Sequence, residues 1–133
     1  MARSHAGLIE GPLSESVIGA FYEVYNNLGP GFGEHVYASA LERELIARGH
    51  RVAREYSVIV YYKGEEIAWQ RLDMVVDEKL VVEIKSTQKL PEAASRQLLS
   101  YLKATKLEVG LLLHFGPEAR FFRVVSTNRS RSA

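Results

Sequence analysis

Two carboxylates and an ammonium group fall within one short stretch, residues 71–86, and together could support metal-assisted hydrolysis. They belong to Asp73, Glu83 and Lys85. The stretch is typical of two apolar strands joined by a polar turn. With that turn centred on Glu78, Asp73 lies directly opposite Glu83, because each is five residues from the centre. Directly opposed side chains of antiparallel strands are about 4.5–5.5 Å apart, so two like charges there need a cation between them.

Alternation along these strands separates an apolar face from a charged face, because side chains two apart on a strand share a face. The face predicted to be apolar collects Leu72, Met74, Val76, Leu80, Val82 and Ile84. The other face gathers both carboxylates and Lys85 at one end. Such oxygen ligands suit a hard divalent cation, and a nearby ammonium group can position water or stabilise developing negative charge. A surface salt-bridge cluster on an ordinary hairpin explains the same residues, and these residues alone do not separate the two interpretations.

The composition is that of an ordinary globular domain. The chain has 133 residues, of which 47% are apolar and 25% charged, and this suits one domain with a sizeable core. Its net charge of +1 means that binding to nucleic acid must come from a local patch or from bound metal. There is no cysteine, which excludes disulfides, thiolate metal sites and cysteine nucleophiles. Because there is neither an apolar run of membrane-spanning length nor a signal-peptide core, we expect a cytoplasmic protein without a membrane segment.

Periodicity predicts the element order helix, helix, three strands, helix, two strands. Ser14 suits the N-cap of the first helix, and Pro91 suits the first turn of the third. A helix between the third and fourth strands implies a parallel crossover in an otherwise antiparallel sheet. The expected fold is therefore α/β, with a mixed sheet of about five strands flanked by helices. The three helices are predicted over roughly residues 15–28, 32–48 and 91–104.

The domain organisation follows from the same periodicity. Residues 1–12 carry no clear period and are interpreted as a partly disordered N-terminal extension. Residues 13–126 are predicted to form the single domain. The remaining residues, 127–133, are polar and are interpreted as a frayed C-terminal tail.

Glu34 lies on the apolar side of the second predicted helix, three residues before Tyr37 and seven before Leu41. A carboxylate on such a stripe needs a partner. The alternative is an exposed Glu34 that complements the helix dipole, and the spacing alone slightly favours it. In the third predicted helix, Gln97 and Tyr101 are four residues apart and form a polar ridge, as amphipathic edge residues often do. The predicted core stripe of the second helix is Tyr37, Ala38, Leu41, Leu45 and Ile46.

These residues resemble the motifs of a known superfamily. Asp73, followed by Glu83-Ile84-Lys85 on an adjacent predicted strand, resembles the signature of the PD-(D/E)xK nucleases. The segment Gly31-Phe-Gly-Glu34-His-Val-Tyr37 is similar to the motif that names the GxxExxY proteins, a branch of that superfamily. Gln97-x-x-x-Tyr101 is similar to the Gln-x-x-x-Tyr helix of exonuclease-type members. The likeness runs from about Ser14 to Val125, with the four motifs in order.

Two positions depart from these patterns. Leu72 stands where the superfamily's name has proline, a loose position. Tyr25 stands where the GxxExxY likeness leads us to expect a histidine. If that histidine contacts substrate in relatives, this chain lacks the contact.

The resemblance implies a restriction-endonuclease-like core that hydrolyses nucleic-acid phosphodiesters, with DNA as the expected substrate. It implies Mg²⁺ as cofactor, with Mn²⁺ as a substitute. By that likeness Asp73 and Glu83 bind the metal, joined by the main-chain carbonyl of Ile84 and by Glu34. Lys85 then orients or activates the attacking water. An all-oxygen donor set also suits magnesium better than zinc, since the chain lacks cysteine and paired histidines.

The same resemblance assigns supporting roles and leaves alternatives open. Gln97, Tyr101 and Tyr37 are expected to steady the site or contact DNA. Small nucleases of this kind are often dimers, so a homodimer is also expected. The alternative function is a catalytically inactive module that binds nucleic acid or a partner on the nuclease fold. A hydrolase for a small phosphorylated ligand is a third possibility, which a closed pocket would support and a basic groove would oppose.

Overall fold

A computed structural model describes residues 9–127, and in it one mixed sheet separates two helices from a third. The element order is the predicted one, and the predicted fold class is confirmed. Of the predicted N-terminal extension only residues 9–12 are described, and residues 11–12 already belong to the first helix. The elements are α1 (Gly11–Leu28), α2 (Glu34–Ala47), β1 (Val52–Tyr62), β2 (Glu65–Val76), β3 (Leu80–Lys85), α3 (Ala94–Thr105), β4 (Val109–Phe115) and β5 (Ala119–Val125).

The five strands lie in sequence order across the sheet. Strands β3 and β4 are parallel, and every other neighbouring pair is antiparallel. Parallel neighbours need a crossover connection, which α3 provides. Every residue of β4 is buried, as expected of a central strand covered on both faces.

Two apolar cores lie on opposite faces of the sheet. The larger core joins α1 and α2 to the sheet, and its aromatic centre is Phe115 of β4. Phe21 packs edge-on against Phe115 at 4.7 Å between ring centroids, and Tyr37 stacks on it at 4.2 Å. The smaller core lies under α3, around Leu98 and Leu102.

Tyr37 also fixes the loop between α1 and α2. Its side chain is fully buried, and its hydroxyl donates to the carbonyl oxygen of Gly29 at 2.5 Å. The same hydroxyl accepts a hydrogen bond from the N–H of Phe32 at 3.2 Å. The loop passes through left-handed backbone at Gly31, where φ is 112°, a conformation that favours glycine. The Gly31-to-Tyr37 motif thus has a structural role in holding the start of α2.

Three predicted element details are wrong. Helix α1 begins at Gly11, with Pro12 in its first turn, so Ser14 is a buried residue inside the helix and not its N-cap. Helix α3 begins at Ala94 and not at Pro91, because residues 91–93 form a turn whose Pro91 carbonyl accepts from the Ala94 N–H. Ile46 is 55% exposed, since its neighbour Leu45 takes the core position on α2.

The predicted apolar face of β2 is also wrong at one position. Met74 packs in the core under α1 and α2, whereas Leu72 packs in the opposite core under α3. Strict alternation would place the two on one face. The pairing of Arg54 with Met74 and of Tyr56 with Leu72 is interrupted by Glu55, whose φ is 50°. This distortion lies across from Asp73, so β2 changes face there.

Candidate active site

The β2–β3 hairpin brings the two central carboxylates together, as its symmetry predicts. Val76 pairs with Leu80 and Met74 with Val82. Asp73 and Glu83 are the next residues outward from the last of these pairs. The two side chains therefore lie where the strands begin to separate, at the end of the hairpin away from its turn.

Each carboxylate is held by the backbone of the opposite strand. The N–H of Asp73 donates to Glu83 Oε1 at 3.0 Å, and the N–H of Ile84 donates to Asp73 Oδ2 at 2.6 Å. Glu83 is only 5% exposed. These crossed hydrogen bonds replace the strand ladder at this point and fix both side chains. They occupy one oxygen of each carboxylate and leave the second for another ligand.

The surroundings do not neutralise the negative charge of this pair. Burial raises the pKa of Glu83, the charges of Asp73 and Glu34 raise it further, and the result is about 8. Burial also raises the pKa of Asp73, against the lowering effects of the Ile84 N–H, Lys85 and Arg54. Both carboxylates thus hold protons more tightly than usual, and both would favour a bound cation.

Glu34 and Arg54 flank Asp73 in an open cleft of about 220 Å³, whose other lining residues are His35, Ala38, Glu55 and Ile84. Glu34 is exposed in the first turn of α2, as the helix-dipole interpretation predicts, yet its charge also acts on Glu83. Sequence reasoning did not identify Arg54 as a site residue. Its guanidinium donates to Glu42 at 3.0 Å and lowers the pKa of Asp73. Its position on β1, the strand that pairs with β2, was the sequence feature that could have indicated its closeness to Asp73.

The other predicted site residues differ in their burial and in their effect on Asp73 and Glu83. Lys85 follows Glu83 by two residues on β3, is partly buried, and acts electrostatically on both carboxylates. Tyr101 is 8% exposed, and burial, Glu83 and Asp73 together raise its pKa, which places it beside the pair. Gln97 is exposed one helical turn before Tyr101. Tyr37 is fully buried in the core, which is compatible with a supporting role and not with contact to DNA.

The donor set fits a hard divalent cation, although it is sparse. Among residues 9–127 no three His, Asp or Glu side chains converge into a ready-made metal site. Mg²⁺ needs only one or two carboxylates, because it keeps several of its waters. Asp73 and Glu83 supply two oxygen ligands that backbone hydrogen bonds already orient. The raised pKa of both groups is consistent with a site short of positive charge.

Comparison with known proteins identifies the class. The family model of the PD-(D/E)XK nuclease superfamily matches residues 12–124, so the chain belongs to that superfamily. The crystal structure of SSO0001 is similar, with a TM-score of 0.58 and 22% sequence identity, a likeness that supports the fold alone. The match covers 88% of this chain and 59% of that one, so the chain spans less than two thirds of the length of that structure. No curated protein sequence matches this chain.

The family branch and the cellular location are among the predictions that these comparisons leave untested. Membership in the GxxExxY branch stays a prediction, because the match is to the superfamily as a whole. Within residues 9–127 no helix is long and apolar enough to cross a membrane. The cytoplasmic location likewise stays a prediction.

Proposed function

We propose that this protein is a metal-dependent nuclease that hydrolyses phosphodiester bonds, with DNA as its substrate. Membership of the superfamily indicates nuclease-type activity on nucleic acid and the use of a divalent metal. The observation that carries the proposal is the opposed pair of Asp73 and Glu83, cross-bound to backbone and short of positive charge. A salt-bridge cluster on the surface would instead surround its carboxylates with basic partners.

Asp73 and Glu83 would hold Mg²⁺, or Mn²⁺ in its place, together with the carbonyl oxygen of Ile84 and with Glu34. When bound, the cation acts as a Lewis acid on the phosphoryl oxygens and lowers the pKa of a bound water. Glu34 lies on the exposed rim of the cleft, where it would complete the ligands of a cation held by Asp73 and Glu83. The Ile84 N–H keeps Asp73 oriented throughout, because it donates to Oδ2.

Lys85 would orient or activate the attacking water. It lies on the same face of β3 as Glu83, two residues away, so its ammonium group is close to any water beside the carboxylates. A cation there orients water and stabilises the charge that develops on phosphate in the transition state. Tyr101 supports Glu83 from α3, and Gln97, one turn earlier, is placed to contact nucleic acid beside it.

The test is cleavage of single-stranded, double-stranded and branched DNA, with RNA alongside, in magnesium, manganese or chelator. The parent protein is compared with Lys85→Ala, and Lys79→Ala is the matched control because Lys79 is an exposed residue of the β2–β3 turn. We expect cleavage that requires metal, is lost in Lys85→Ala and survives in Lys79→Ala. Metal-dependent cleavage that persists in Lys85→Ala would contradict the role given to this lysine.

A binding module without turnover is the second candidate. The absence of a three-ligand group among the described residues favours it, since a weak metal site can accompany lost activity. Tight metal-independent binding with no cleavage of any substrate would support this module against the nuclease. A hydrolase for a small phosphorylated ligand is disfavoured, because the cleft at Asp73 is open and not a closed pocket.

A further inference from the structure

An open cleft lies between α3 and the outer part of the β1–β2 hairpin, which we call the α3 cleft. Its volume is about 540 Å³, against about 220 Å³ for the cleft at Asp73. On the sheet side it is lined by residues 59–61 of β1 and by Gln70 of β2. On the helix side it is lined by Ser100, Lys103 and Lys106.

The α3 cleft is basic. Both of its lysines, Lys103 and Lys106, are exposed, and the described residues that line it include no Asp or Glu. Helix α3 itself has no acidic residue. Neither lysine takes part in an ion pair within residues 9–127. The cleft at Asp73 instead contains three carboxylates, so the two clefts attract ligands of opposite charge.

Both walls of the α3 cleft continue to the candidate active site. On the sheet side, Gln70 precedes Asp73 by three residues of β2, which is about 10 Å along a strand. On the helix side, Ser100 is followed by Tyr101, whose pKa is raised by burial and by the charges of Glu83 and Asp73. An extended ligand that lies in the cleft therefore runs towards the two carboxylates.

An exposed aromatic ring lies on the same face of the hairpin, beyond the cleft. Val58 packs in the core under α3, so Val60 and Tyr62, the next alternate residues of β1, share its face. Tyr62 is 60% exposed, and the Lys63 ammonium group is 5.4 Å from its ring centroid. Glu65 pairs with Tyr62 but is not among the residues that line the cleft. Basic grooves that are combined with exposed aromatic rings are typical of proteins that bind single-stranded nucleic acid.

We propose that the α3 cleft binds a single-stranded segment of nucleic acid and directs it to Asp73 and Glu83. Lys103 and Lys106 contact its phosphates, and the ring of Tyr62 stacks on an unpaired base. A duplex is disfavoured, because its bases stack on one another and offer no free face to this ring. The inference deepens the proposed function and rests on it for the use of the bound strand. The binding itself requires neither metal nor cleavage.

The test is binding of the full chain to a fluorescently labelled oligothymidylate and to a duplex of the same length. Fluorescence anisotropy in chelator, over a series of salt concentrations, gives the affinities. The variant combines Lys103→Gln with Lys106→Gln. The matched control combines Arg43→Gln with Lys79→Gln, which removes the same charge from exposed residues of α2 and of the β2–β3 turn. Circular dichroism checks the fold, and Tyr62→Leu tests the stacking separately.

We expect the parent to bind the single strand at least tenfold more tightly than the duplex. The double lysine variant should bind the single strand about tenfold more weakly, whereas its control should bind like the parent. The slope of log K against log salt should fall by about 1.4 in that variant, because each phosphate contact in a single strand contributes about 0.7. Tyr62→Leu should weaken binding at least about fivefold, the lower end of the contribution of one stacked base.

Three results would overturn the inference. They are a parent that binds no oligonucleotide in chelator, equal affinity for strand and duplex, and binding that the double lysine variant does not weaken. Cleavage by the parent in metal is measured in parallel. Cleft-dependent binding without cleavage would support the cleft and contradict the nuclease. Cleavage together with binding that is independent of the cleft would support the nuclease and contradict the cleft.

Discussion

Two carboxylate clusters at opposite ends of the β2–β3 hairpin have opposite electrostatic character. At the turn, Asp77 Oδ1 accepts from the Arg51 N–H at 2.8 Å, and Oδ2 lies 2.7 Å from His50 Nδ1. Burial alone would raise the pKa of Asp77, but these donors outweigh it and lower the pKa below its ordinary value. At the other end, Asp73 and Glu83 have raised pKa values.

The difference lies in what surrounds each carboxylate. Asp77 has a backbone donor, an imidazole and a nearby guanidinium, so its charge is satisfied within the protein. Asp73 and Glu83 have one backbone N–H each and face one another, and the charges of Lys85 and Arg54 do not offset the effect of burial on their pKa values. A carboxylate that is satisfied internally stabilises the fold, whereas a buried pair short of positive charge is poised to bind a cation. Asp77 is therefore a structural acid, whereas Asp73 and Glu83, at the other end of the same hairpin, are candidate metal ligands.

The largest expected effect is on cleavage. Asp73→Asn should lower the rate about a hundredfold or more, because a metal contributes several kcal/mol to stabilising the transition state. Asp77→Asn should leave the rate within about threefold of the parent, because Asp77 touches no proposed metal ligand. Initial rates of metal-dependent cleavage on the same substrate measure both. Equal losses in the two variants would remove the functional distinction between the clusters.

Stability should respond with opposite signs at the two ends. Asp77→Ala should lower the free energy of unfolding by about 1–3 kcal/mol, because it leaves the Arg51 N–H and His50 without their acceptor. Glu83→Gln, in metal-free protein near pH 8, should raise it by a few kcal/mol, because the pKa of Glu83 rises from 4.5 to about 8 on folding and one pKa unit corresponds to about 1.4 kcal/mol. Urea unfolding in chelator gives both values. A clear loss of stability in Glu83→Gln would show that Glu83 is not strained by its surroundings.

The pH dependence of stability should follow Glu83. Its pKa is about 8 in the folded protein against an ordinary value of 4.5, so the folded state binds the proton more tightly. The resulting stabilisation is complete below pH 4.5 and is lost as the pH rises through 8. Asp77 has a lowered pKa, so its contribution is lost only below its ordinary value of 3.8. The unfolding midpoint of the metal-free parent should therefore decrease as the pH rises from 4.5 to 8. Glu83→Gln should make the midpoint less dependent on pH over this range.

The smallest expected effect concerns Tyr101. Tyr101→Phe should reduce cleavage by about 2- to 10-fold, the effect expected from removing one polar group near the two carboxylates. Tyr22→Phe is the control, because Tyr22 is a 37% exposed tyrosine on α1. Cleavage rates at saturating metal measure the difference. An unchanged rate in Tyr101→Phe would show that this hydroxyl has no role in the active site.

The sequence predicted the features that depend on local pattern. Apolar runs and turn residues predicted the element order and the parallel crossover, and hairpin symmetry placed Asp73 opposite Glu83. The face predicted for Leu72 was wrong, because the left-handed backbone at Glu55 reverses the side to which the paired strands direct their residues. The pattern of apolar residues does not reveal this reversal.

Features that depend on long-range packing could not be predicted. The hydrogen bond of Arg54 to Glu42 depends on how α2 and β1 meet, which spacing within either element does not determine. The helical spacing predicted Tyr37 as a core residue, but its stacking on Phe115 depends on how α2 packs on the sheet. The electrostatic contrast between Asp73 and Asp77 likewise depends on donors from distant segments, such as Arg51.

The most direct test of this contrast is the effect of metal on unfolding. Thermal midpoints of the parent, Glu83→Gln and Asp77→Asn are measured with and without millimolar Mg²⁺ or Mn²⁺. A ligand that binds only the folded state raises the midpoint. We predict that metal raises the midpoint of the parent and of the less stable Asp77→Asn by several degrees and leaves Glu83→Gln unchanged. A parent that metal does not stabilise, or an equal rise in all three proteins, would contradict a metal site at Asp73 and Glu83.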